Sequence, residues 1–173
     1  MSIGNWQQGE KVAVNVAQSY FRETVKPTVD EFLHDPFSVR RARLAAIVLY
    51  HLVDYLKAQA NQGWGVTKIA EAIAVKCPDF LLVRDVCDAS KHCILTNETR
   101  GNKSPRVLEH SDQLDATSHD GLFSAPFGSG FFAEASYVWI KLDDGSWRNF
   151  VDVVSNVISF FDIFDFDEVQ VLS

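Results

Sequence analysis

The chain has no C-x-x-C pair, and its cysteines are odd in number: Cys77, Cys87 and Cys93. A closed disulfide framework is not expected, and reduced thiols in a cytosol are the natural reading. Long apolar runs are also missing. The longest, LAAIVLY at 44–50, falls far short of the roughly 20 residues that span a bilayer. The opening MSIGNWQQGEKVAV shows no basic stretch followed by an apolar one, so no secretory leader is expected. Together these absences predict a cytoplasmic protein, bacterial in style, with no membrane partner. Positive charge is in deficit too. Sixteen Lys and Arg face 23 Asp and Glu, a net charge of −7. That balance disfavours loose, non-specific binding to nucleic acid, while leaving room for a local basic patch. There is no internal repeat and no low-complexity segment.

What is present predicts one domain over residues 1–173, large enough to bury roughly 70% of its unfolded surface. Thirteen Phe and four Trp imply a core built on large rings. Residues 8–95 read as a helical core. Val12, Val16, Ser19, Tyr20 and Glu23 share a helical spacing over 8–24. Pro27 suits the first turn of a new helix that Asp35-Pro36 ends. Ser38 is a good N-cap for a long helix from Val39 to about Ala60. Its middle, LAAIVLYHLVDYL, is apolar nearly all round, as in a central buried helix. Arg40, Arg41 and Arg43 crowd its start, either as a solvated end or for a partner. The loop NQGWG follows, then a short helix capped by Thr67, a break at Cys77-Pro78, and a helix from Asp79 through FLLVRDVCDASKHCIL. Phe80, Val83, Cys87, Ser90 and Ile94 form the stripe that packs on the bundle.

At Thr96 the composition turns polar, and NETRGNKSPR reads as a mobile connection. Beyond it the period moves towards two. EASYVWIKL alternates as a strand and Asp143-Asp144-Gly145-Ser146 signals a turn, which predicts a β insertion over about 106–142. Phe150, Val153, Val154, Val157, Ile158 and Phe161 then predict a closing helix over 147–164. The fold class is α+β, mainly α: a four- to five-helix bundle with a small antiparallel hairpin or sheet inserted before the C-terminal helix.

The candidate chemistry lies on two helices. Asp85, Asp88 and His92 share one face, and Arg84, Asp88 and Lys91 an adjoining one. His51 and Asp54 stand three apart inside the most apolar helix, where a His and an Asp need partners. They can pair with each other, reach the Arg84/Lys91 stripe, or join Asp88 and His92 around a divalent transition metal. The last set, two imidazoles and two carboxylates from facing helices, suits zinc, iron or manganese, although Lys91 beside it disfavours a cation. Without metal, His92 could act as acid or base with Asp88 orienting it, and Arg84 or Lys91 could clamp a phosphate. The plainest alternative is packing: Arg84–Asp88 and Asp88–His92 as ion pairs along one helix, and Asp54 accepting from His51, Tyr50 or Tyr55.

The run from Arg84 to His92, RDVCDASKH, resembles the Arg–polar–gap–His motif of the HEPN superfamily of small helical bundles. HLVDYL, the Cys-Pro break and the Ser-Lys-His ending look like a group of bacterial HEPN-like proteins, and the likeness covers about 10–95. Residue by residue, Arg84, Asp85 and His92 match. The gap here is seven residues, longer than is usual in the superfamily, and it turns His92 about 80° from Arg84 around the helix. The resemblance implies a nucleic-acid-associated protein, in its active form a metal-independent endoribonuclease. It also implies a homodimer with RNA as substrate and an antitoxin-like partner, from a toxin–antitoxin or phage-defence system. The alternatives are a non-catalytic interaction or regulatory bundle and, third, a metal-binding bundle. No cofactor is expected on the first two readings.

Other motifs are weaker. Ser118-His119-Asp120 is no triad, because triad members meet in space and not by adjacency. His110 reads as surface. Gly128-x-Gly130 lacks the rest of a phosphate loop. Cys87 and Cys93 read as small core residues. Phe123, Phe127, Phe131, Phe132, Trp139 and Trp147 would cover the bundle or form a partner surface.

Overall fold

The computed structural model describes residues 15–60, 63–95, 105–117 and 137–167. The start of the first predicted helix, His119, Gly128, Gly130 and the phenylalanines at 123, 127, 131 and 132 lie outside the described residues.

The chain enters through α1 (Val16–Tyr20), a π-turn at Phe21–Val25 and α2 (Lys26–His34). The three run on as one rod, where the sequence predicted two helices. Pro27 explains the π-turn. It has no N–H for the carbonyl four residues back, and its ring presses on that carbonyl. The backbone widens instead, and the Lys26 N–H reaches Phe21. Asn15 caps the rod by accepting from the Gln18 N–H at 2.9 Å.

Ser38 caps α3 (Val39–Gln59) as the sequence predicts, its hydroxyl accepting from the Arg41 N–H. Ala42, Ala45, Ala46, Leu49, Leu52, Val53 and Leu56 line one fully buried face. Burial all round does not hold: Leu44 and Tyr55 are exposed. Two of the three arginines at its start serve the fold, and Arg40 is exposed. Arg41 pairs with Asp35 at 2.9 Å, and Arg43 donates to the Ser111 carbonyl at 3.0 Å.

α4 (Val66–Lys76) starts one residue before the expected cap, with Gly65 at the N-cap position and no side-chain cap. Cys77-Pro78 separates it from α5 (Asp79–His92). Phe80, Val83 and Cys87 are fully buried as predicted, but the stripe fails at its end, because α5 stops at His92 and Ile94 is exposed. The stop is a turn centred on Cys93, at φ 60° and ψ −51°, with the Ile94 N–H donating to the His92 carbonyl. This is the strained γ-turn geometry. The chain then doubles back: Leu95 donates to Glu109 and Ser111 to Cys93, with Ile94 bridging His110.

The β insertion is a three-stranded antiparallel sheet in the order β1 (Leu114–Thr117), β2 (Tyr137–Lys141), β3 (Trp147–Asn149). Leu114 faces Ile140, and Trp139 faces Asn149. Val138 and Ile140 point into the core, as alternation requires. The predicted turn closes β2 to β3, with Gly145 at φ 83°, a conformation that favours glycine. Trp147–Asn149 belong to the sheet rather than to the closing helix. That helix, α6 (Phe150–Asp162), begins where the Asn149 side chain accepts from the Val151 N–H at 2.9 Å. The architecture is thus mainly helical α+β, with the sheet before the C-terminal helix. α3 and α5 pack together at its centre, closed by α6 through Phe80, Phe150 and Phe161. Among the described residues no helix is long and apolar enough to cross a membrane.

Candidate functional site along α3 and α5

The residues marked by the sequence divide into a buried clamp and an open seam. The clamp is at the middle of α5. Arg84 and Asp85 are neighbours in sequence and both are buried, Asp85 completely. Arg84 Nε donates to Asp85 Oδ1 at 2.8 Å, its Nη2 to the Pro105 carbonyl at 3.3 Å, and its Nη1 lies 3.7 Å from Glu71 of α4. Asp85 also accepts from the Val107 N–H at 2.9 Å and from Arg106 at 3.4 Å. Arg106 reaches on to Asp88 at 2.8 Å. The segment 105–107 is therefore fastened across α5 by two carboxylates and a guanidinium.

Burial pushes the Asp85 carboxyl above its usual range, and Arg84, the Val107 N–H and Arg106 pull it back. The hydrogen bonds define the arrangement: Asp85 is an acceptor facing three donors, two of them guanidinium groups. A buried charge left without its partner costs several kcal/mol, so each member depends on the others.

The open seam runs along the same helices toward the end of α5. Lys91 Nζ lies 3.0 Å from His51 Nε2 and joins α5 to α3. Lys91 has only protons to offer, so His51 accepts through Nε2 and carries its own proton on Nδ1. Asp54 and His92 are exposed, and neither side chain makes a hydrogen bond or ion pair among the described residues. Two half-buried tyrosines border the seam. Burial pushes the phenol of Tyr50 up to about 12, with the Asp88 charge adding and Arg84 opposing. Burial likewise pushes Tyr20 to about 12, with Tyr55 and Asp54 adding. Cys87 is buried behind Lys91, and burial pushes its thiol up.

The chain matches no protein-family model, no curated protein and no solved structure.

Several predicted pairings are replaced. Arg84 does not pair with Asp88, because Asp85 is nearer and Asp88 is taken by Arg106. Asp88 does not orient His92, and Asp54 accepts from neither His51 nor a tyrosine of its own helix. Of the fates open to His51, the structure takes the reach to Lys91. His51, Asp54, Asp88 and His92 do not converge as a ligand set: among the described residues no group of three or more His, Cys, Asp or Glu is arranged to hold a metal ion. His51 is engaged with an ammonium, Asp88 with a guanidinium. Arg84 and His92 also stand apart. Eight residues along a helix separate them by about 12 Å, and the guanidinium is held against Asp85, Glu71 and Pro105.

The sequence reading missed Glu71 and Arg106. Arg106 ends the polar stretch read as a connection. The available signal was charge balance, since Asp85 and Asp88 on a helix packed at the centre of the bundle need cations, and Arg84 alone cannot serve both.

Proposed function

We propose that this chain is a non-catalytic interaction or regulatory bundle of HEPN-like style, acting by binding a protein partner rather than by cleaving RNA. One observation carries the reading: Arg84, the arginine of the motif, is buried and already engaged by Asp85, Glu71 and the Pro105 carbonyl. A phosphate clamp needs a guanidinium free to donate to a phosphate. Releasing Arg84 would take from the wholly buried Asp85 side chain its closest donor, at 2.8 Å, leaving it the Val107 N–H and a longer contact to Arg106. Arg84 and Asp85 of the motif thus support the fold, and the net charge of −7 agrees with a protein that does not gather nucleic acid loosely. The test is incubation of the purified chain with single-stranded and structured RNA in the presence of a chelator. No cleavage is expected. Cleavage that disappears in His92→Ala while the melting temperature holds would overturn the reading.

A second reading rests on the seam. Lys91 with His51, next to exposed His92, offers an ammonium and two imidazoles where solvent can reach, the groups a metal-independent ribonuclease requires. On this reading RNA cleavage depends on His51, Lys91 and His92 and not on Arg84. An antitoxin-like partner and a homodimer belong to it as proposals carried from the HEPN resemblance.

A further inference from the structure

We propose that Tyr20 and Tyr55 are an oxidative modification site, poised to form a carbon–carbon dityrosine link between the first helical rod and α3. The inference is independent of whether the protein acts on RNA. The two rings stack with centroids 3.9 Å apart and planes 8° from parallel. Aromatic pairs ordinarily prefer an offset or edge-to-face approach, with centroids about 4.5–7 Å apart. Here helix packing holds the rings nearly face to face, with carbons of one at about van der Waals distance from carbons of the other. The chain has four tyrosines and all are described. Tyr50 packs on Phe80 and Tyr137 on Phe37, so Tyr20–Tyr55 is the sole tyrosine–tyrosine ring contact among them. Tyr55 is 37% exposed, which gives an oxidant access to one member of the pair.

The chemistry balances with a peroxide-driven one-electron oxidant, such as a haem peroxidase. Each phenol gives up one electron and its phenolic proton and becomes a neutral tyrosyl radical. The radicals couple through one ring carbon ortho to each oxygen. Each coupled carbon then loses its hydrogen as a proton while the carbonyl oxygen gains one, restoring two phenols. Two tyrosines lose two electrons and two protons in total, and one hydrogen peroxide takes them up to leave two waters. Stacked rings need no large movement before the carbons meet. The link would tie Tyr20, which immediately precedes the π-turn, to the C-terminal half of α3.

The experiment treats the intact chain with a haem peroxidase and hydrogen peroxide at low protein concentration, then maps the peptides by mass. The expected product is a monomer lighter by two hydrogen atoms, with dityrosine fluorescence and a peptide joining the segments of Tyr20 and Tyr55. That peptide and the monomer fluorescence are lost in Tyr55→Phe and in Tyr20→Phe, and persist in Tyr50→Phe and Tyr137→Phe. Dityrosine found mainly between chains, or joining Tyr50 or Tyr137, or undiminished in Tyr55→Phe, would overturn the proposal. So would a native, fully oxidant-exposed protein that yields no dityrosine.

Discussion

Asp85 accepts from Arg84 at 2.8 Å and, on its other oxygen, from the Val107 N–H at 2.9 Å, so one buried carboxylate joins α5 to a segment 22 residues further on. Removing it leaves Arg84 and a backbone N–H without their acceptor. Asp85→Ala is expected to cost about 3–5 kcal/mol. Arg106→Ala should cost less, because Arg106 is partly exposed and Arg84 still faces Asp85. Urea unfolding of the two variants measures the order, and equal losses would argue against the clamp.

Cys93 sits at φ 60°, a conformation that only glycine adopts without strain. Cys93→Gly should stabilise the protein by about 1 kcal/mol, the relief exceeding the entropy of the freer unfolded chain. Cys93→Ala removes the thiol and keeps the strain, so it should not gain. Midpoints of denaturant unfolding for the two variants provide the comparison.

The same residue should be the reactive thiol. Cys93 is exposed, whereas burial encloses Cys77 and Cys87 and pushes both thiols up. A thiol reagent at neutral pH should label one cysteine in the native protein and all three after unfolding. Native labelling of Cys87 would contradict the packing of α5.

Much of the fold is legible because its signals are local. Ser38 as a cap, the Cys77-Pro78 break, the alternation of Tyr137–Lys141 and the glycine at 145 each act within a few residues. The site was harder to read. The sequence shows Asp85 and Arg84 only as members of adjoining polar faces, because their partners, Glu71, Pro105, Arg106 and Val107, are remote from them along the chain and meet α5 only after folding. The rod at Pro27 departs from the sequence expectation for a related reason. A proline signals a boundary, but packing of Phe21, Val25 and Val29 into the core holds the helix together through a π-turn. Trp147–Asn149 looked helical by continuity with α6, and pairing with β2 decides otherwise.

High pH should unfold the protein through its tyrosines. Tyr20 and Tyr50 are held near 12 in the folded state against an ordinary value of 10.0. The folded chain keeps these protons while the unfolded chain loses them. Their contribution to stability is therefore complete below pH 10 and falls as pH rises from 10 towards 12. Tyr20→Phe and Tyr50→Phe should each flatten that fall. Urea midpoints across an alkaline series would show it, and an unchanged slope in both variants would count against the burial of the phenols.

The most direct test of the account is to replace Arg84 with Met and measure unfolding free energy and RNA cleavage on the same preparation. The account predicts that stability drops by about 3–5 kcal/mol, as when a buried charge pair loses one member, with no cleavage by either protein. Unchanged stability, with cleavage present in the wild type and absent in Arg84→Met, would show that this guanidinium serves chemistry and not the fold.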